Sequence, residues 1–263
     1  MSTETASIIY QCHDGIADVC LNRPGALNAM NLEMATEFRD IMKRIAVDES
    51  VRVILLRGTG RAFMAGGDLK SFHDADNRKQ AALTLLEPLH EGIALLSDAP
   101  QPVIACLHGA VAGAGMSLAM CADIAVAEEG AVFTMAYAKV GNNPDCSGSW
   151  ALPRIVGMRK ALELALLSDK ISVEEAKELG LVNRLTPTGE HEAVAREMAQ
   201  RIAASAPAAM KHTKALLRTS FDRTLNEQLD AEATAFASNA DSDDFAEALD
   251  AFFERRTPVF TGK

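Results

Sequence analysis

In the stretch NNPDCSGSW, Asn142 to Trp150, one carboxylate, Asp145, follows a proline and stands among side chains too small to bury it. An Asp in such a loop is a turn former, a helix N-cap, or a group presented for proton transfer. Two glycine-rich segments offer backbone chemistry instead: RAFMAGGDL follows the apolar run VRVILLRG, and GAVAGAGMSLAM follows VIACLHG. In the second, Gly113, Ala114 and Gly115 lead straight into a helix whose first amides lack internal partners and carry the positive end of the dipole. Such a start can hold an anion or a polarised oxygen. It is not a dinucleotide fingerprint, because the third glycine of G-x-G-x-x-G is missing. Ser117, in GMSLA, lies close to the G-x-S-x-G elbow of serine hydrolases, with His191 or His212 following in chain order. It falls several residues past the strand, however, inside the expected helix, where a packing role is the ordinary one. The histidines at 13, 73, 90, 108, 191 and 212 form no H-x-x-x-H ligand pair, so no metal site is expected. His90 lies on the helix between the two glycine loops and could face a site formed by them.

These residues need a scaffold, and the first ~140 residues provide alternation. SIIYQCHDGIADVCLNRP reads as a hairpin around His13-Asp14-Gly15 that Pro24 ends. Asn31 caps a helix with Met34, Phe38, Ile41, Met42 and Ile45 at helical spacing. VRVILLRG is a buried strand, a helix covers about 79–96, VIACLHG is a second buried strand, AGMSLAMCAD a short helix, and IAVAEEGAVF strand pieces. This alternation is an α/β pattern with helices covering a sheet. From Ser147 onward helical patterns dominate, among them WALPRIVGMRKALELALL, SVEEAKELG with the S-x-x-E of a capping box at Ser172 and Glu175, EAVAREMAQRIAAS, AAMKHTKALLRTSFD and DSDDFAEALDAFFERR.

Bulk properties bound the function. The chain has 263 residues, 48% hydrophobic content and a formal charge of -10. It can fill a sizeable core, and it lacks the basic face that a nucleic-acid partner requires. No apolar run approaches the ~20 residues of a membrane span, and the N-terminus has neither the basic nor the apolar region of a signal peptide. A soluble cytoplasmic protein is expected. The five cysteines, at 12, 20, 106, 121 and 146, are odd in number, have no CxxC pair, and are read as buried free thiols.

RAFMAGGDLKSF resembles the A-F-x-A-G-x-D-L/I segment of the crotonase (enoyl-CoA hydratase/isomerase) family. HGAVAGAGMSLAMCADIAVA is similar to that family's second signature, and NRPGALNAM and LPRIVGMRKALELALLSDKISVEEAKELGLVNRL extend the likeness over nearly the whole chain. The resemblance implies a ββα spiral core at 1–195 and a C-terminal helical oligomerisation region at 196–263 that assembles trimers or dimers of trimers. It implies an acyl-CoA substrate of the kind met in fatty acid metabolism, with coenzyme A entering as the substrate's thioester and no separate cofactor. It places an oxyanion hole at the amides of Gly67 and Ala114, and substrate contacts at Met64, Ala65, Asp68, Leu69 and Lys70. Lys263, Phe260 and Arg256 would help hold CoA phosphates of a neighbouring subunit.

Family hydratases use two glutamates, and their positions here hold Ser117 and Tyr137, neither of which replaces a carboxylate near neutral pH. Asp145 falls where family isomerases carry a single acid, so the expected reaction is a double-bond shift with Asp145 as acid/base and Tyr137 and His90 as further candidates. The 4-chlorobenzoyl-CoA dehalogenases look similar in placing an aspartate nucleophile in this loop and a histidine where His90 falls. Against an aromatic acyl group, Met64, Leu89 and Tyr137 give only one ring among the expected pocket residues. A serine hydrolase built on Ser117, and a non-catalytic acyl-CoA binder in which Asp145 only caps the helix near Ser147, are the readings of other classes.

Overall fold

The computed structural model describes residues 6–263. The reading of the N-terminus as leader-free rests partly on residues 1–5, which lie outside the described residues. The chain opens with the expected hairpin, β1 (Ile8–His13) and β2 (Ile16–Leu21), which pair antiparallel. Asp14 and Gly15 between them both have positive φ, 52° and 76°, the conformation that lets a two-residue turn follow the twist of its strands. Three crossovers then add parallel strands. α1 (Leu32–Val47) leads to β3 (Val53–Gly58), and α2 (Leu69–His73) with α3 (Arg78–Asp98) leads to β4 (Val103–Leu107). β5 (Ala110–Ala112) and α4 (Ala114–Ala119) lead to β6 (Ile124–Glu128). Asn31 caps α1 by accepting from the Met34 amide at 3.0 Å.

After β7 (Val132–Thr134) come α5 (Gly148–Val156), α6 (Met158–Leu167), β8 (Ile171–Ser172), α7 (Val173–Glu178) and β9 (Arg184–Thr186). The main sheet runs β1-β2-β3-β4-β6-β9, and a small one runs β5-β7-β8. α8 (His191–Ala203), α9 (Pro207–Arg218), α10 (Leu225–Ala240) and α11 (Asp243–Glu254) complete the chain. The expected α/β architecture with a C-terminal helical region is therefore present.

Side-chain alternation makes the central strands apolar on both faces. Ile54, Leu56, Ala105 and Leu107 face the large core beneath α1 and α3, whereas Ile16, Val53, Leu55, Ile104 and Cys106 face Ala195, Ala199 and Ala203 of α8. The expected boundary at 195/196 thus falls inside a helix that packs on the sheet, and the helices that leave the sheet begin with α9.

Three further readings change. The second half is not purely helical: β9 extends the main sheet and β8 pairs with β7. These two- and three-residue strands are too short to show a period. WALPRIVGMRKALELALL is two helices, broken at Gly157 with φ +77°. Ser172 does cap α7, accepting from the Glu175 amide at 3.3 Å, but the reciprocal capping box is at Thr224 and Glu227 of α10. The cysteines are all free, as expected, with four buried and Cys12 half-buried. Burial raises the Cys20 thiol to about 11 and Cys106 to about 12, which keeps both protonated.

The C-terminal segment is tied to its own chain. The Arg52 guanidinium donates to the Phe260 carbonyl at 3.3 Å and to Ala203 at 3.0 Å, and Asp244 accepts from the Thr261 and Gly262 amides. Arg256 is engaged by Glu247 and Glu254. The Arg256 guanidinium and the Phe260 carbonyl are thus already engaged within their own chain. Among the described residues, no helix is long and apolar enough to cross a membrane.

Candidate active site

The two glycine loops do meet, because β3 and β4 are parallel neighbours and the loops leave the same ends. Met64 is bridged to Val111 between the two loops, and Gly67 is bridged to Met30 of the segment before α1. The tightest approach is at Gly115, where an added Cβ would meet the Met64 carbonyl at 2.1 Å, and Gly66 and Gly113 face each other at the cavity. Their φ angles are +109° and +52°, and a Cβ on Gly113 would stand 3.6 Å from the Gly66 Cα. Glycine is the residue that adopts such angles without strain.

Peptide planarity then fixes where two amides point. The Gly66 carbonyl accepts from the Met30 amide at 2.8 Å, and in a trans peptide the N–H of Gly67 must point the opposite way. The Gly113 carbonyl accepts from the Ser117 amide at 3.0 Å along α4, so the Ala114 N–H points out of the helix start. Neither amide has an acceptor among the described residues. Both residues line the same cavity of about 370 Å³. Two unpartnered donors at one cavity are the composition of an oxyanion hole.

The cavity walls are mostly apolar. Leu85, Leu86 and Leu89 come from one face of α3, Phe72 and Leu69 from α2, and Met30 from the segment before α1. Of the expected substrate contacts, Ala65 and Leu69 line this cavity. Met64 does not: its side chain is 1% exposed and packs in the core beneath the loop, which corrects its placement as a substrate contact. Asp68 caps α2 and accepts from Arg23 at 2.9 Å, and Lys70 is exposed and paired with Asp74; neither is among the lining residues. The aromatic count also rises, since Phe72 adds a second ring to Tyr137.

Asp145 also lines this cavity. It does not cap α5 with its side chain: the helix start is closed by a bond from the Gly148 amide to the Asp145 backbone carbonyl, at 2.8 Å. Its carboxylate Oδ1 instead accepts from the Tyr137 hydroxyl at 2.6 Å, and the Ser117 Oγ lies 3.0 Å from that hydroxyl. Cys146 and Ser147 both have positive φ, 52° and 70°, two successive strained residues that turn the loop at this point. Burial pushes the Tyr137 phenol far above its ordinary value, and the neighbouring Cys146 and Asp145 push the same way, so it remains a protonated donor. Cys146 is raised well above an ordinary thiol, first by burial and then by Asp145.

His90 is exposed, yet its ring lies near the carboxylate. One ring nitrogen, one Asp145 oxygen and the Cys146 sulfur lie within 4.8 Å of one another, a trio with metal-ligand atoms that no sequence spacing announced. Ser117 fails as a hydrolase nucleophile: it is fully buried inside α4. Its expected partners are elsewhere, His191 beside Glu128 at 3.0 Å and His212 bonded to Asn239. Met30, Phe72, Leu85, Leu86 and Cys146 were missed as site residues. Leu85 and Leu89 share a face at i, i+4, which was the one available signal.

The sequence matches the enoyl-CoA hydratase/isomerase family over residues 11–263. A 1,2-epoxyphenylacetyl-CoA isomerase from Escherichia coli K12 is 34% identical over 261 residues, covering 97% of this chain and 98% of its own. A probable enoyl-CoA hydratase from Rhodobacter capsulatus is 36% identical over 258 residues, covering 98% of each. The crystal structure of an enoyl-CoA hydratase from Bacillus anthracis superposes with a TM-score of 0.93 at 30% identity, covering 98% of this chain and 100% of that one. With the family's match spanning almost the full length and its fold reproduced, the chain belongs to the enoyl-CoA hydratase/isomerase family and has the crotonase fold.

Proposed function

We propose that the protein shifts the double bond of an enoyl-CoA, with Asp145 as the sole acid/base and the amides of Gly67 and Ala114 as the oxyanion hole. The observation that supports this reading is one carboxylate and two unpartnered amides lining the same apolar cavity, with no second carboxylate there among the described residues. Asp145 takes a proton from the α-carbon of a 3-enoyl thioester. The electrons move onto the thioester oxygen, whose charge the two amides stabilise, and the double bond spreads over the dienolate. The protonated Asp145 then delivers the proton to the γ-carbon, which yields the 2-enoyl thioester. One base suffices, and a proton transfer of this kind asks for no redox cofactor. Water addition needs a second carboxylate to position water, and Ser117 and Tyr137 supply none.

Asp145→Asn keeps the shape and removes the base, so turnover of a 3-enoyl-CoA should fall about 10²–10⁴-fold. Near-normal turnover would end the assignment. A second reading has its own support in the placement of His90 beside Asp145: attack by the carboxylate on an aryl-CoA, followed by hydrolysis with His90 as base. Chloride release from 4-chlorobenzoyl-CoA would select it. Self-association is also proposed, because Leu217, Phe221, Leu225, Phe236, Phe252 and Phe253 are all more than two-thirds exposed on and around α9–α11.

A further inference from the structure

Ser117 and Tyr137 take no part in the proposed proton transfer, yet the structure gives those two residues a joint task. Their side chains are buried, 0% and 9% exposed, and they form a chain of hydrogen bonds that ends on Asp145. The direction of that chain is determined. As the base of the proposed reaction, Asp145 is a carboxylate and only accepts, so the single Tyr137 proton is spent on Oδ1 at 2.6 Å. The Tyr137 oxygen is then the acceptor and the Ser117 hydroxyl the donor, at 3.0 Å.

Ser117 is itself fully buried and closely packed. It sits in α4, the helix whose first residue is Ala114, and a Cβ on Gly148 would come within 2.3 Å of its Oγ. The phenol is therefore held by the same helix that presents one oxyanion donor. The Asp145 loop contains two residues in left-handed conformations and no side-chain cap; Ser147 ties it to Cys121 at 3.0 Å, which leaves Tyr137 as the contact on the carboxylate itself.

We infer that Tyr137, backed by Ser117, is a positioning residue that locks the Asp145 carboxylate in register with the amide at Ala114. The inference rests on Asp145 being the reacting carboxylate. One oxygen is fixed by the phenol, and the other is directed to the substrate carbons. Because the hydroxyl donates to Oδ1 whether or not the second oxygen holds the travelling proton, the clamp persists through both proton transfers.

The test compares the wild type with Tyr137→Phe, Ser117→Ala and Asp145→Asn, using a 3-enoyl-CoA and measuring kcat and KM separately, with circular dichroism to check folding. Loss of a hydrogen bond to a charged group should lower kcat of Tyr137→Phe roughly 10–100-fold, with KM within about twofold. Ser117→Ala should fall less, in the same direction. Replacement of Tyr137 by p-aminophenylalanine, which restores an N–H donor at the same place, should recover most of the loss. A role in packing alone would show no such recovery. Unchanged kcat in Tyr137→Phe, a KM effect without a kcat effect, or failure of the aniline to restore turnover would each overturn the inference. If Asp145→Asn is itself active, the underlying reading fails instead, and the two failures are told apart.

Discussion

Gly66→Ala isolates what the backbone contributes to the site. At φ +109° an alanine is strained by about 1–3 kcal/mol, although its Cβ has room, with the Ala112 carbonyl at 3.4 Å and the Ala114 amide at 3.9 Å. The chain can relieve the strain by rotating towards negative φ. That rotation pulls the Gly66 carbonyl away from the Met30 amide, now 2.8 Å distant, and turns the Gly67 N–H on the other side of the same peptide. Loss of one such donor costs about 10²–10³ in kcat. The assay is steady-state turnover of a 3-enoyl-CoA together with thermal unfolding, and the control is Gly130→Ala. Gly130 has φ +82°, nothing within 4 Å of its added Cβ, and a place in the turn between β6 and β7, away from the cavity. Both variants should lose a few °C in Tm, and only Gly66→Ala should lose turnover. A Gly66→Ala protein that is destabilised yet keeps full kcat would refute the argument that this peptide aims a catalytic amide.

Two other perturbations follow from buried contacts. Gly148→Ala drives a methyl to 2.3 Å from the Ser117 Oγ and should cost about 1–3 kcal/mol in a urea melt, and adding Ser117→Gly should return part of it; purely additive losses would show that the contact is not the cause. His108 titrates below the ordinary histidine value of 6.5, first because it is buried and then because a charge on His191, whose tilted ring lies 5.1 Å away, repels its own. A depressed histidine leaves the unfolded chain binding the extra proton, so its stabilisation is present above about pH 6.5 and is lost as the pH falls through and below that value. Urea midpoints at pH 7.5 and 5.5 should therefore differ more for the wild type than for His108→Gln, and equal differences would contradict the assignment.

The sequence and structure agree where the physical signal is local and repeated. The β1–β2 hairpin was legible because Asp14-Gly15 is the turn chemistry that positive φ requires, and α1 because Asn31 precedes an unbroken apolar stripe. The two amides proposed as oxyanion donors were legible only through family likeness, since an amide has no sequence identity; what fixes their direction is Met30 and Ser117 bonding the opposite sides of their peptides. Met64 misled because an apolar residue inside a signature looks like a contact, whereas strand-like alternation turns it inward. Tyr137 and Asp145 lie eight residues apart on either side of a loop, and no pattern announces that a phenol will meet a carboxylate. α10 was passed over for a different reason: Leu225, Leu229 and Phe236 are exposed, so they show no stripe directed at this chain's own core.

The central claim concerns where one oxygen sits, and a crystal structure with an unreactive acyl-CoA thioester measures it directly. The account predicts the thioester oxygen about 2.7–3.2 Å from both the Gly67 and Ala114 nitrogens, with the Asp145 carboxylate against the α-carbon. A thioester oxygen bonded to neither amide, or an Asp145 facing away from the acyl chain, would contradict it.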